Sequence, residues 1–218
     1  MSNLTTKDIQ DALERFEYKG VARSDAWHER VFLSEQLLRA IRSKDADRMV
    51  VVLRSIHRWG FGKDLPQGVC DQRHDLLRVL RKVMRAKSGP DRQDLIWLLG
   101  LPEIGIAAVS KWICFVDQNR YAIFDSRVSV ALKECRENGS RSFPVLQRKG
   151  NNAWPPDQFK SLGRMADFYL DYLALLQRVA KAVQLKPAEI EMGLFMIGDI
   201  PCDNPEAWKE NRGPLRRY

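Results

Sequence analysis

Apolar residues recur along this chain every three or four positions, the signature of helices that bury one face. Ile9, Leu13 and Phe16 mark a first helix, which Thr5 or Thr6 can cap and Gly20 would end. Trp27, Val31, Leu37, Leu38 and Ile41 form the buried stripe of a second, starting after Ser24. Asp45-Ala-Asp opens a third over 49–57, which runs into Arg58-Trp-Gly-Phe-Gly. Two glycines beside two aromatics predict a compact turn there, with Trp59 and Phe61 either exposed or filling core. Residues 62–72 read as loop, broken by Pro66 and Gly68.

Leu76, Leu77, Leu80, Val83 and Met84 give the inward face of a helix over 73–86, while five basic residues spread over its remaining surface. Helix 91–99 ends in a tight turn, Leu101-Pro-Glu-Ile-Gly, and an apolar helix opens directly from it. A polar loop, 117–120, then leads to a lone carboxylate, Asp125, in the context Phe-Asp-Ser-Arg. The pattern predicts a helix over 126–138 ended by Gly139, and a long irregular segment over 139–157 containing Arg141, Arg148, Lys149 and Trp154. That segment is either a functional loop or a disordered connection. A central helix over 158–184 follows, then a last one from Pro187 over 188–197, and a basic tail with Arg212, Arg216 and Arg217. With no strand-rich region, repeat or linker, the expected fold is mainly α, a single all-α globular unit over 1–218.

Composition narrows the partners. Lys and Arg outnumber Asp and Glu by 36 to 28, a formal net charge of +8, which favours polyanions. Cys70, Cys114, Cys135 and Cys202 lie far apart and form no CxxC pair, which argues against a zinc ribbon or iron–sulfur site. No apolar run approaches the ~20 residues that span a bilayer. The expectation is a cytoplasmic protein with reduced thiols, no metal and no cofactor.

The turn at 101–105 between two helices resembles the hairpin of a helix-hairpin-helix motif, in which backbone amides meet a DNA phosphate. Asp125 follows Gly105 by one helix and a loop, and Ile123-Phe-Asp-Ser-Arg-Val looks like the segment carrying the essential acid of the helix-hairpin-helix DNA glycosylases. The match covers 92–135 and is most similar to bacterial and archaeal relatives of oxidised-guanine glycosylases. It implies two helical lobes sharing a cleft, in a monomer of the prokaryotic cytosol and nucleoid. Its partner would be double-stranded DNA containing a damaged or modified base. Leu101, Pro102, Ile104 and Gly105 would anchor a phosphate, with Arg127 as a further backbone contact. Trp112, Met192 and Phe195 would border the extruded base, although their spacing fits core packing equally well. The chain departs from the family pattern at Glu103, where glycine is usual, and in a loop before Asp125 without Gly or Pro. It departs again at Ala107, where members that also cut DNA place a nucleophilic lysine.

Lys111 stands one helical turn after Ala107 on the same face. From there it can take over the nucleophile's task, or it can snorkel to solvent or pair with an acid. Asp125 can stabilise positive charge on the sugar and orient a water, or cap a helix, or both. Arg127 can steady Asp125 or pair with a surface acid. These readings give a glycosylase with Asp125 and Lys111 as catalytic candidates. The alternatives are a non-catalytic DNA-binding module and a structural helical protein whose basic surface meets RNA or an acidic partner.

Overall fold

In the computed structural model the described residues are 5–18, 20–132 and 161–198, with 136–137 and 140–141 described as backbone. Ten helices carry almost all of the regular structure among them: α1 Thr6–Glu14, α2 Arg23–Ser43, α3 Ala46–Phe61, α4 Gln67–Asp71, α5 Arg73–Arg85, α6 Arg92–Leu99, α7 Ile106–Val116, α8 Ser126–Ala131, α9 Leu162–Val183 and α10 Pro187–Gly198. The fold is all-α, as the periodicity predicts.

Helix starts follow local chemistry. Thr5 and Asp8 close a capping box on α1, and Asp45, Asp91 and Ser161 cap α3, α6 and α9 through their side chains. The differences from the expected elements have local causes too. The first helix ends at Glu14 rather than Gly20, and the chain turns through a hairpin of β1 Glu17–Tyr18 and β2 Val21–Ala22, with Gly20 at φ 79° in its turn. Within 62–72 lies the short helix α4, which buries Val69 and Cys70. The helix expected over 126–138 stops at Ala131, and a second hairpin pairs β3 Arg136–Glu137 with β4 Ser140–Arg141. The remaining residues of the long irregular segment, and the basic tail after 200, lie outside the described residues.

The centre of the molecule is α7, not the long α9. Every residue of α7 except Ala107 is buried, whereas α9 buries a single stripe. Helices α2, α3, α5 and α6 pack around α7; α8 packs on α10, which α1 and α9 also flank. One close approach fixes α1 on α10: a β-carbon at Gly193 would stand 2.7 Å from Ile9 Cγ2 and 2.9 Å from the Ile9 carbonyl oxygen. Gly193→Ala should therefore cost about 1–3 kcal/mol by overpacking, read as a lower urea midpoint at unchanged slope.

A candidate lysine–carboxylate active site

The hairpin comes first in the chain. Leu101 and Ile104 turn their side chains into the core, so only backbone and the exposed Pro102 and Glu103 face outward. Pro102 sits against α4, where a β-carbon at Gly68 would stand 2.7 Å from its Cγ. Glu103 adopts φ 59°, the left-handed region that favours glycine. The turn thus carries both strain and a negative charge at this position. Gly105 caps α7 without any side-chain bond, which leaves the first amides of an eleven-residue helix open to an acceptor.

Asp125 caps α8. Its Oδ1 accepts from the amides of Arg127 at 3.0 Å and Val128 at 3.1 Å. The other oxygen, Oδ2, stands 3.9 Å from Lys111 Nζ. Capping therefore occupies one oxygen, and the second faces the lysine. Lys111 does not snorkel: it is 4% exposed, and its partner is the carboxylate itself. Three further neighbours enclose the amine. The Ala107 carbonyl accepts weakly at 3.5 Å, the Phe61 ring covers Nζ with its centroid 4.6 Å away, and Gly60 flanks the stem. A β-carbon at Gly60 would stand 2.5 Å from Lys111 Cε, so any side chain there would force the lysine to shift. Phe61 is 38% exposed and rests against His57, ring centroids 4.7 Å apart. Of the two readings of Trp59-Gly-Phe, the partly exposed one fits Phe61.

Burial drives the Lys111 amine below the ordinary lysine pKa, while the charges of Asp125 and Glu191 pull it back up and that of Arg30 pushes it down. Arg30 and Glu191 form a second buried pair, 2.6 Å apart and each about 3% exposed, contributed by α2 and α10. Burial disfavours the Arg30 charge, but the contact with Glu191 outweighs it and the guanidinium stays firmly charged. The Arg30 Nη2 also donates to Cys114 Sγ at 3.4 Å. Burial pushes that thiol up to about 12, so it is protonated and no nucleophile at neutral pH. Sequence reasoning missed Arg30 and Glu191. Their signal was there: each is a lone charge in an apolar context, Arg30 on the α2 stripe with Leu33, Leu37 and Ile41, Glu191 between Ile190 and Met192.

The stretch that delivers Asp125 is buried yet belongs to no helix or strand, and side chains from two helices satisfy its carbonyls. From α7, Cys114 Sγ donates to the Tyr121 carbonyl at 3.5 Å, and Ser110 Oγ shares its proton between the carbonyls of Phe124 at 3.2 Å and Ala107 at 3.3 Å. From α9, Tyr169 donates to Ala122 at 2.8 Å and Tyr172 to Ile123 at 2.7 Å. Ser110 Oγ also accepts from the Phe124 amide at 3.0 Å.

The remaining predicted residues lie nearby in varying states. Trp112 is wholly buried, and its Nε1 has no hydrogen-bond partner among the described residues. Met192 is buried in α10. Arg127 lies over the Phe195 ring, 4.6 Å from its centroid, which joins the first turn of α8 to α10. Among the described residues there is no cluster of three His, Cys, Asp or Glu side chains able to hold a metal, and no helix long and apolar enough to cross a membrane.

The helical fold thus brings an amine on α7 to within 3.9 Å of the carboxylate that caps α8. The family model "OGG: Putative 8-oxoguanine DNA glycosylase OGG-like protein" matches residues 10–195, and the chain belongs to that family. No curated protein and no solved structure matches the chain significantly.

Since Phe61 is the exposed cover of a buried amine, Phe61→Ala should speed reductive methylation of Lys111 at least several-fold over the native protein. Peptide mass spectrometry reads it, with surface lysines as the internal standard.

Proposed function

We propose that this protein is a DNA glycosylase that takes a damaged or modified base out of the duplex, breaks its N-glycosidic bond and cuts the strand through Lys111. The family name makes 8-oxoguanine the first base to test. The observation that carries the reading is the 3.9 Å approach of Lys111 Nζ to Asp125 Oδ2.

The chemistry follows from that contact. Breaking the glycosidic bond builds positive charge on the deoxyribose, and the free oxygen of Asp125 can stabilise it. The neutral Lys111 amine then bonds to C1′ while the base leaves with the bonding electron pair and takes a proton from water. Opening of the sugar ring gives a Schiff base to Lys111, and elimination from it breaks the strand on the 3′ side. A nucleophilic amine must first lose its proton, and burial, by lowering its pKa, enlarges the neutral fraction at physiological pH. Because Phe61 covers the amine, that ring must turn aside before a sugar can reach Nζ. The backbone amides at the start of α7 would hold a phosphate of the same strand, with Glu103 working against them.

Borohydride trapping on a duplex with a preformed abasic site tests the nucleophile. Lys111→Gln should abolish the covalent adduct, and trapping by the native protein should rise with pH through an inflection below the ordinary lysine value of about 10.4. Asp125→Asn should lower excision at least about a hundredfold with duplex affinity retained. A native protein that binds duplex DNA yet neither excises nor traps would instead be the non-catalytic binding module. Glu103→Gly should tighten duplex binding several-fold at low salt, since it removes a like charge from the phosphate site and relieves a strained turn.

A further inference from the structure

Four successive peptides, those of residues 121–124, carry the chain into Asp125, and side chains alone hold their carbonyls. The last of these peptides is different from the rest. One hydroxyl, that of Ser110, both accepts from the Phe124 amide and donates toward the Phe124 carbonyl, directly before the acid. Ser110 is also the residue before Lys111 in α7, so one helix carries the amine and the group that grips the acid's backbone. Helix α8, which Asp125 caps, packs chiefly on α10 rather than on α7. The cap bonds fix the carboxylate relative to α8 but say nothing of where α8 stands relative to Lys111. That relation runs through Phe124 and Ser110.

We infer that Ser110 is a positioning residue of the proposed reaction, the link that sets the distance between Lys111 and Asp125, with Tyr169 and Tyr172 holding the two peptides upstream. This rests on the lysine–acid reading above. A hydroxyl lost at Ser110 leaves both backbone polar groups of the buried Phe124 without their partner, and the segment relaxes until other groups or water satisfy them. The carboxylate moves with it. A displacement of about 1 Å at a reacting group costs on the order of a hundredfold in rate. Duplex binding has no part in this link and stays as it was.

Ser110→Ala, Asp125→Asn and the double variant separate this role from mere stability. Two duplexes serve as probes, one with 8-oxoguanine opposite cytosine and one with a preformed abasic site. Single-turnover excision and strand cleavage are followed over hours, at a temperature where circular dichroism shows each protein folded. Ser110→Ala should bind both duplexes as the native protein does and react roughly ten to a hundred times more slowly. In the Asp125→Asn background the same change should slow the residual rate no further, because a residue acting through the acid has nothing left to position. A native rate for Ser110→Ala, or an equal loss with and without Asp125, overturns the inference. If Ser110→Ala does not fold, Tyr172→Phe, which removes the hydroxyl that donates to Ile123, takes its place in both measurements with the same expected and overturning outcomes. Should Asp125→Asn itself react at the native rate, the underlying lysine–acid reading fails. An inactive Asp125→Asn beside a fully active Ser110→Ala removes the positioning role alone.

Discussion

An amine sealed among helices is the constraint on which the rest of this structure turns. Withdrawing a charged lysine from water costs several kcal/mol unless opposite charge and donors' partners are close, or unless the group gives up its proton. Lys111 has the first kind of compensation only in part: one carboxylate at 3.9 Å and one long bond to a carbonyl. Its remaining neighbours are an aromatic face and the bare backbone of Gly60. A purely structural ion pair would be expected to close to hydrogen-bond distance, as Arg30 and Glu191 do at 2.6 Å in the same interior. The two pairs thus differ: Arg30 and Glu191 are closed into a hydrogen-bonded bridge, and Lys111 and Asp125 are not.

Those two pairs also explain why so many elements meet at one place. Arg30 comes from α2, Glu191 from α10, Lys111 from α7 and Asp125 from the α8 cap, so the buried charges tie four segments distant in sequence. Truncating one member of the Arg30–Glu191 pair leaves a charge buried alone, which costs about 3–5 kcal/mol in comparable pairs. The same field reaches Lys111, where Glu191 and Arg30 act with opposite sign. The structural pair therefore acts on the amine in both directions, while burial lowers its pKa and Asp125 raises it.

The helices were legible because periodicity and capping report local physics: Asp45 and Asp125 each sit where a side chain satisfies open amides. So was the succession of turn, apolar helix and acid. What stayed hidden depends on distance in space. Nothing local marks Ser110, Tyr169 and Tyr172 as donors to 122–124, since a serine in a helix and two tyrosines three apart read as ordinary core. The end of α8 at Ala131 was equally hidden, because the apolar positions continue to Cys135 and only the second hairpin interrupts them. Lys111 stood between two outcomes in sequence, and the glycine that decides between them is fifty-one positions earlier in α3.

Gly60 shows how the departure at Ala107 and the burial of Lys111 belong together. A lysine at 107 would occupy the one residue of α7 that is not buried, at the mouth of the hairpin. Moving the amine one turn inward places it under α3, where any side chain at position 60 would collide with its stem. The inward position exchanges exposure for a lowered pKa and a 3.9 Å approach to Asp125, beneath the ring of Phe61. An amine at 107 would stay protonated at neutral pH unless another group discharged it. At 111 burial shifts the amine toward its neutral form, and the partly exposed ring at the end of α3 covers it.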